Sequence, residues 1–292
     1  MKDLGRSRGQ DDVYWRQSFA WRRAGKEHDV NRAPVVLVMG GFMSVRSKIL
    51  SPKAGAETWL ANNTPRKINI GCGFDKKAGY LNLDSDPACS PDVLVQDHDL
   101  YFLPRNHFDE VFAKDVLEHI PRAFMMNALF DWASLLKVGG ELFVQTSWIY
   151  GIIDTMRAAG TFEVIHNWKM CLFGNQAHPG DWHHNGFTEE TLRVYLEAVG
   201  LKDNGFTIDD GWLIATRAKK TDDWGHLLET SNYPRFLTES YNLFLQRDPE
   251  EGRIQANRPT AAGTKERYHE LRYIVGCAER LYKLGTAIEA RG

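Results

Sequence analysis

The chain has 292 residues, 43% hydrophobic and 25% charged, with a formal net charge of −2; that length holds one large core or a core plus a satellite, and the near-neutral charge leaves no footprint for nucleic acid. Its longest apolar run, residues 33–42, is shorter than the roughly 20 residues of a membrane span, and the polar opening MKDLGRSRGQDD has no signal-peptide apolar region, so a cytoplasmic protein without a membrane partner is expected. Four scattered cysteines, Cys72, Cys89, Cys171 and Cys277, form no CxxC pair, which argues for reduced thiols rather than a zinc site or a disulfide framework.

Residues 1–64 read as a lead segment with aromatic clusters, a strand-like VVLVMGG whose two glycines make a turn, and a helix near Ala54–Ala61. A core follows over 65–218. KINI, YLNLD, DVLVQD, EVFAK and ELFVQT are short runs rich in β-branched and large apolar residues, bounded by Gly, Asn or Asp, and read as strands. Between the fourth and fifth, Pro121 opens a helix in which Phe124, Ala128, Leu129, Trp132, Leu135 and Leu136 recur at helical spacing, and Lys137-Val138-Gly139-Gly140 closes it. An insertion spans 151–187. Thr188 then caps a helix through Leu192, Leu196 and Val199 that stops at Gly200, and GWLIATRAK reads as a closing strand. Strands alternating with helices predict a doubly wound α/β fold with a mostly parallel sheet. Residues 219–292 read as a helical extension, with Tyr268, Leu271, Val275, Ala278, Leu281 and Tyr282 on one stripe between Thr264 and Thr286 that is buried against the chain itself or a second copy in a homodimer.

Gly71-Cys72-Gly73 after the first strand lets the backbone approach a ligand closely, but Lys76 stands where a dinucleotide fingerprint needs its third glycine. Asp84 ends the second strand and Asp97 the third. Either alone is readily a turn cap; both at successive strand ends beside a glycine bend favour a nucleoside, with Asp84 on the ribose diol, Asp97 on the adenine amino group and His98 at a ring nitrogen.

The ordered set NIGCGFDKKAGYLNLD, QDHDLYFLPRNHFDEVFAKDVLEHIP, LLKVGGELFV and HHNGFTEETLRVYLEAVGL resembles the successive motifs of class I S-adenosylmethionine-dependent methyltransferases over about half the chain. The resemblance implies a seven-stranded-type, Rossmann-like core with helical N- and C-terminal additions, and S-adenosylmethionine as cofactor. It places the methionine part of the cofactor on Gly71, Cys72 and Gly73, with ribose on Asp84 and adenine on Asp97. Asn69 stands where many members carry an acid, and can still bond the cofactor ammonium. The short first crossover, Gly73 to Tyr80, matches the subgroup with an abbreviated first helix.

A sulfonium methyl is already an activated electrophile, so alignment and water exclusion matter more than any one catalytic group. The acceptor pocket is expected from the loops after the fourth and fifth strands, involving Lys114, Asp115, His119, Trp148 and Tyr150, and from the insertion with His166, His178, His183 and His184. Tyr150 or a histidine among His178, His183 and His184 is the candidate base; alternatively His183 and His184 organise the turn before Thr188, and His119 caps or packs. The spacing of His178, Asp181 and His183 matches no helical ligand pair, so no metal is expected. Tyr14 and Trp15 are either a lid over the sulfonium or anchors of the lead segment. The expected activity is methyl transfer to a small-molecule acceptor on oxygen, nitrogen or carbon. Its rivals are attack at another carbon of the sulfonium, releasing methylthioadenosine, and a non-catalytic binding module.

Overall fold

The computed structural model describes residues 52–63, 66–95, 100–177, 179–230, 232–255 and 264–291. All belong to one unit, Ile49–Gly292. The VVLVMGG run, Tyr14 and Trp15 lie outside the described residues, as do Asp97, His98 and His178.

Helix α1 (Pro52–Asn62) precedes β1 (Lys67–Ile70), β2 (Leu81–Asp84) and a short β3 (Val93–Leu94). β4 (Phe108–Lys114), α2 (Arg122–Leu135) and β5 (Leu136–Ser147) follow. Together with β6 (Leu201–Asp209) and β7 (Leu213–Lys220), these strands form a seven-stranded sheet in the order β3-β2-β1-β4-β5-β7-β6. β1 to β5 are parallel and β7 runs antiparallel between β5 and β6. This is the doubly wound, mostly parallel α/β sheet expected. The order reverses between β1 and β4, and their carboxyl ends open the crevice where such sheets bind ligands.

The core sits where β1, β2, β4 and β5 meet α2: Ile68, Leu81, Leu83, Val111, Leu142 and Val144 pack in one cluster with Leu129, Trp132 and Leu135. No helix follows β1, because the crossover to β2 is only turns. Phe112 and Phe143 instead stack on each other at 4.5 Å, and the Lys77 ammonium and Arg217 guanidinium lie over them.

Several expectations are corrected. Lys137–Gly140 does not end α2; it is a bulge inside β5, whose register jumps from Phe108↔Leu136 to Glu110↔Glu141. Gly140 is needed there, since a Cβ would sit 3.0–3.1 Å from three backbone oxygens. Phe124 is 49% exposed, while Asp131 on α2 is buried because helices cover more than one side of it. β6 has no counterpart in the sequence reading: it is a mostly exposed edge strand, bulged at Gly205, without apolar alternation. Of the strand expected over DVLVQD, Val93–Leu94 forms ladder among the described residues, and its last two positions lie outside them.

The insertion is a helical hairpin, α3 (Ile149–Ala159) and α4 (Phe162–Phe173), leading into α5 (Glu189–Ala198), whose N-cap Thr188 makes a capping box with Thr191. Beyond the sheet lie α6 (Gly225–Leu228), α7 (Tyr233–Leu245), α8 (Glu251–Gln255), α9 (Thr264–Val275) and α10 (Ala278–Glu289). The single helix expected over 264–286 is therefore two, broken at Gly276-Cys277, where a Cβ on Gly276 would meet Met126 at 2.8 Å. Tyr268, Leu271, Ile274 and Val275 of α9 are buried in the same core cluster as α2, so this half of the stripe is used within the chain, whereas Tyr282 is exposed. Among the described residues no helix is long and apolar enough to cross a membrane.

Candidate functional site

β1 stops at Ile70, and the chain turns through Gly71 and Gly73 at φ 62° and 50°. The two glycines serve different ends. A Cβ on Gly71 would come within 2.5 Å of Val116 Cγ2, so this glycine lets the turn after β4 close on the bend; a Cβ on Gly73 would meet nothing within 4 Å, so the space above it is open. The bend is tied to β2 by the Cys72 amide donating to Leu83 O (2.9 Å) and the Gly73 amide donating to Asp84 Oδ2 (2.7 Å). The other Asp84 oxygen accepts from the Asp86 amide at 2.8 Å. An ionised carboxylate has about four acceptor positions, so this half-buried group keeps two for a ligand while its orientation is fixed.

Beneath the bend Asn69, buried on β1, donates to Asn82 Oδ1 (3.0 Å) and Asp75 O (3.4 Å). Its amide nitrogen is thereby committed inward, and Oδ1 is what it can offer a ligand ammonium. Asn82 in turn bonds Asp92, and Lys76 pairs with Asp92 at 2.9 Å. Burial would raise the Asp92 carboxyl, but its bonds from Lys76 and Asn82 outweigh that and hold it below the ordinary range. The Cys72 thiol is buried and pushed up to about 11, by burial first and by Asp84 second, which suits packing rather than nucleophilic chemistry. Lys114 ends β4, exposed at the same edge.

On the far side of this edge the segment after α4 folds back. Gly174, at φ 74°, admits the carbonyl of Asp181 where a Cβ would clash. The amides of His184 and Asn185 donate to Glu118 O at 2.7 and 3.3 Å, and Asn185 Nδ2 donates to Ile120 O at 2.6 Å. These bonds staple 183–185 onto the short turn Leu117–His119 after β4.

The staple brings Glu118, His119 and His183 together: one potential ligand atom from each lies within 4.8 Å of the others. The His119 and His183 rings meet edge to face at 4.7 Å. His119 Nδ1 lies 3.2 Å from Trp182 O and His183 Nδ1 3.0 Å from Cys171 O. Burial lowers both imidazoles, His119 to about 4 with help from the neighbouring His183, so they are neutral near pH 7. Glu118 is 2% exposed, accepts from Thr146 Oγ1 at 2.8 Å, and is pushed up to about 8 by burial.

A cavity of ≈ 200 Å³ adjoins the cluster, lined by Ser147, Ile149, Ile152, Cys171, His183 and His184 among others. Of the candidate bases, His183 and His184 thus reach one cavity, whereas Tyr150 is exposed on the first turn of α3 with its ring edge-on to Trp148. The sequence does not single out Glu118 and His119 together, and the grouping of His178 with Asp181 and His183 weighed there falls partly outside the described residues, at His178. The available signal was an adjacent Glu-His inside the apolar run Val116-Leu117-Glu118-His119-Ile120.

No protein-family model matches the chain, and no curated protein matches it. Among solved structures it is similar to 1,6-didemethyltoxoflavin-N1-methyltransferase of Burkholderia thailandensis, solved with 1,6-didemethyltoxoflavin and S-adenosylhomocysteine, at 12% identity and TM-score 0.38 over 76% of this chain and 94% of that one. It is similar also to a SAM-dependent methyltransferase of Methanosarcina mazei, at 15% identity and TM-score 0.40 over 56% of this chain and 98% of that one. A third is a 16S rRNA (adenine(1408)-N(1))-methyltransferase of Catenulisporales acidiphilia with SAM, at 16% identity and TM-score 0.35 over 59% and 92%. Likenesses of this size, to proteins with such different substrates, assign no acceptor to this chain.

Proposed function

We propose that the chain binds S-adenosylmethionine at the β1/β4 switch point and transfers its methyl group to a small-molecule acceptor. One arrangement carries the reading: a glycine bend with open space over Gly73, tied through its amide to the carboxylate that ends the neighbouring strand. The bound sulfonium supplies a methyl group already activated for transfer.

The chain's own residues then bind and align. Asp84, fixed by two amides, holds a ribose diol without reorganising, and Gly71, Cys72 and Gly73 present backbone to the methionine part. Asn69 Oδ1 accepts from the ammonium; Asp97 and His98 address the adenine; Lys114 stands at the same edge. Ile149, Ile152 and Leu172 line the cavity with apolar surface that excludes water. His183 or His184 accepts a proton from a hydroxyl or amine acceptor; for His183, Nδ1 faces a carbonyl, which leaves Nε2 as the basic atom.

A cavity of ≈ 200 Å³ is smaller than the roughly 300–1,000 Å³ of drug-sized pockets and favours a compact acceptor, or one end of a longer one. The near-neutral net charge supports a metabolite over a nucleic acid, and four free cysteines suit the cytoplasm. The reading is tested by incubating the protein with S-adenosylmethionine and a panel of hydroxylated and amino metabolites, with mass spectrometry of the spent cofactor. S-adenosylhomocysteine is expected; methylthioadenosine in its place would point to chemistry at another carbon of the sulfonium.

A further inference from the structure

We propose that Glu118, His119 and His183 form a binding site for a divalent transition metal of the zinc class. Two imidazoles and one carboxylate are a donor set used for zinc with water or substrate in an open position. Here the three ligand atoms are gathered within 4.8 Å by hydrogen bonds of the His184 and Asn185 amides to Glu118 O and of the Asn185 side chain to Ile120 O, from parts of the chain far apart in sequence. Bonds to zinc run to about 2.0–2.2 Å, so the three ligand atoms have to draw in from their present spacing of up to 4.8 Å to hold an ion.

The outer contacts are the stronger argument. A carbonyl oxygen can only accept, so Trp182 O and Cys171 O place the proton of each imidazole on Nδ1 and leave the Nε2 lone pair for a metal. Metal-bound histidines have their other nitrogen held in this way, which fixes tautomer and ring angle. Glu118 is held likewise by Thr146 Oγ1.

Because His183 also lines the cavity, the open position of such a metal would face the acceptor. In that use, which rests on the methyl-transfer reading, the metal rather than His183 binds the acceptor oxygen or nitrogen, lowers its pKa and orients it. The acceptor class is then a compact molecule with a metal-binding hydroxyl or amine.

The test titrates the full chain, first stripped with a chelator, with cobalt(II) as a spectroscopic substitute. One equivalent should produce the intense visible bands of a four- or five-coordinate site, and zinc should displace it. His183→Ala and Glu118→Gln should each weaken binding a hundredfold or more, whereas His226→Ala, on α6, should leave the bands unchanged. Absence of bands in the parent chain, or their full retention in His183→Ala, overturns the site. If Glu118→Gln does not fold, His183→Ala on a half-buried residue still decides. Calorimetry of S-adenosylhomocysteine on the stripped protein separates the outcomes: its failure would sink the cofactor reading and leave the metal result standing.

Discussion

Among the described residues two carboxylates are almost fully buried, and they are treated in opposite ways. Asp131 on α2, 1% exposed, accepts from Tyr268 Oη at 2.6 Å, from Arg272 Nη1 on both carboxylate oxygens at 3.2 and 3.3 Å, and from the Leu100 amide. Glu118, 2% exposed, takes its hydrogen bonds from neutral groups, Thr146 Oγ1 at 2.8 Å among them, and feels the like charge of Asp115. The first is a saturated knot that fastens α9 to the core. The second lies beside two neutral imidazoles, one of which, His183, lines a cavity. Burial alone does not distinguish the two acids; the charge of their partners does.

The sharpest way to break this contrast is to remove the knot. Asp131→Ala leaves Arg272 and the Tyr268 hydroxyl without their anion and should cost about 3–5 kcal/mol of stability, the usual cost of breaking a buried pair, read from urea unfolding at pH 7. A loss below 1 kcal/mol would mean the knot is decorative. Asp84→Ala should leave folding largely intact but weaken S-adenosylhomocysteine binding by about 1–3 kcal/mol through lost charge-assisted bonds, measured by calorimetry. Unchanged affinity would remove Asp84 from the cofactor edge.

Glu118→Gln, in metal-stripped protein, should change stability by no more than about 1 kcal/mol, because the neutral amide keeps the Thr146 bond without burying a charge. A loss as large as that of Asp131→Ala would erase the distinction between the two acids. The smallest effect belongs to Asp92. Its depressed folded pKa means its stabilisation is present above the ordinary value of about 3.9 and is lost as pH falls through the lower folded one. Asp92→Asn should therefore be slightly less stable than the parent at pH 7 and indistinguishable from it in strong acid, in denaturation followed across pH.

The same contrast explains how much was legible beforehand. β1, β2, β4, the body of β5 and β7 announce themselves by apolar runs between turn residues, and the Thr188 cap is local chemistry; all were readable from neighbours in sequence. β6 was not, because an exposed edge strand owes its existence to β7 rather than to its own pattern. Lys137–Gly140 has the composition of a helix end yet forms a bulge, since Gly140 has to pass three backbone oxygens of the packed sheet. At the candidate site, the Gly71–Gly73 bend and Asp84 lie within a few residues of a strand end and were foreseen. Glu118, His119 and His183 are joined only by the fold-back after α4, which no spacing rule encodes. Asp131 escaped for the same reason: its partners Tyr268 and Arg272 lie on a helix more than a hundred residues away.

The most direct measurement is a calorimetric titration of the parent chain with S-adenosylhomocysteine. Saturable one-to-one heat is expected, weakened when Asp84 loses its carboxylate. No heat of binding up to millimolar ligand would contradict the assignment of the Gly73–Asp84 edge as a nucleoside site, and the proposed methyl transfer with it.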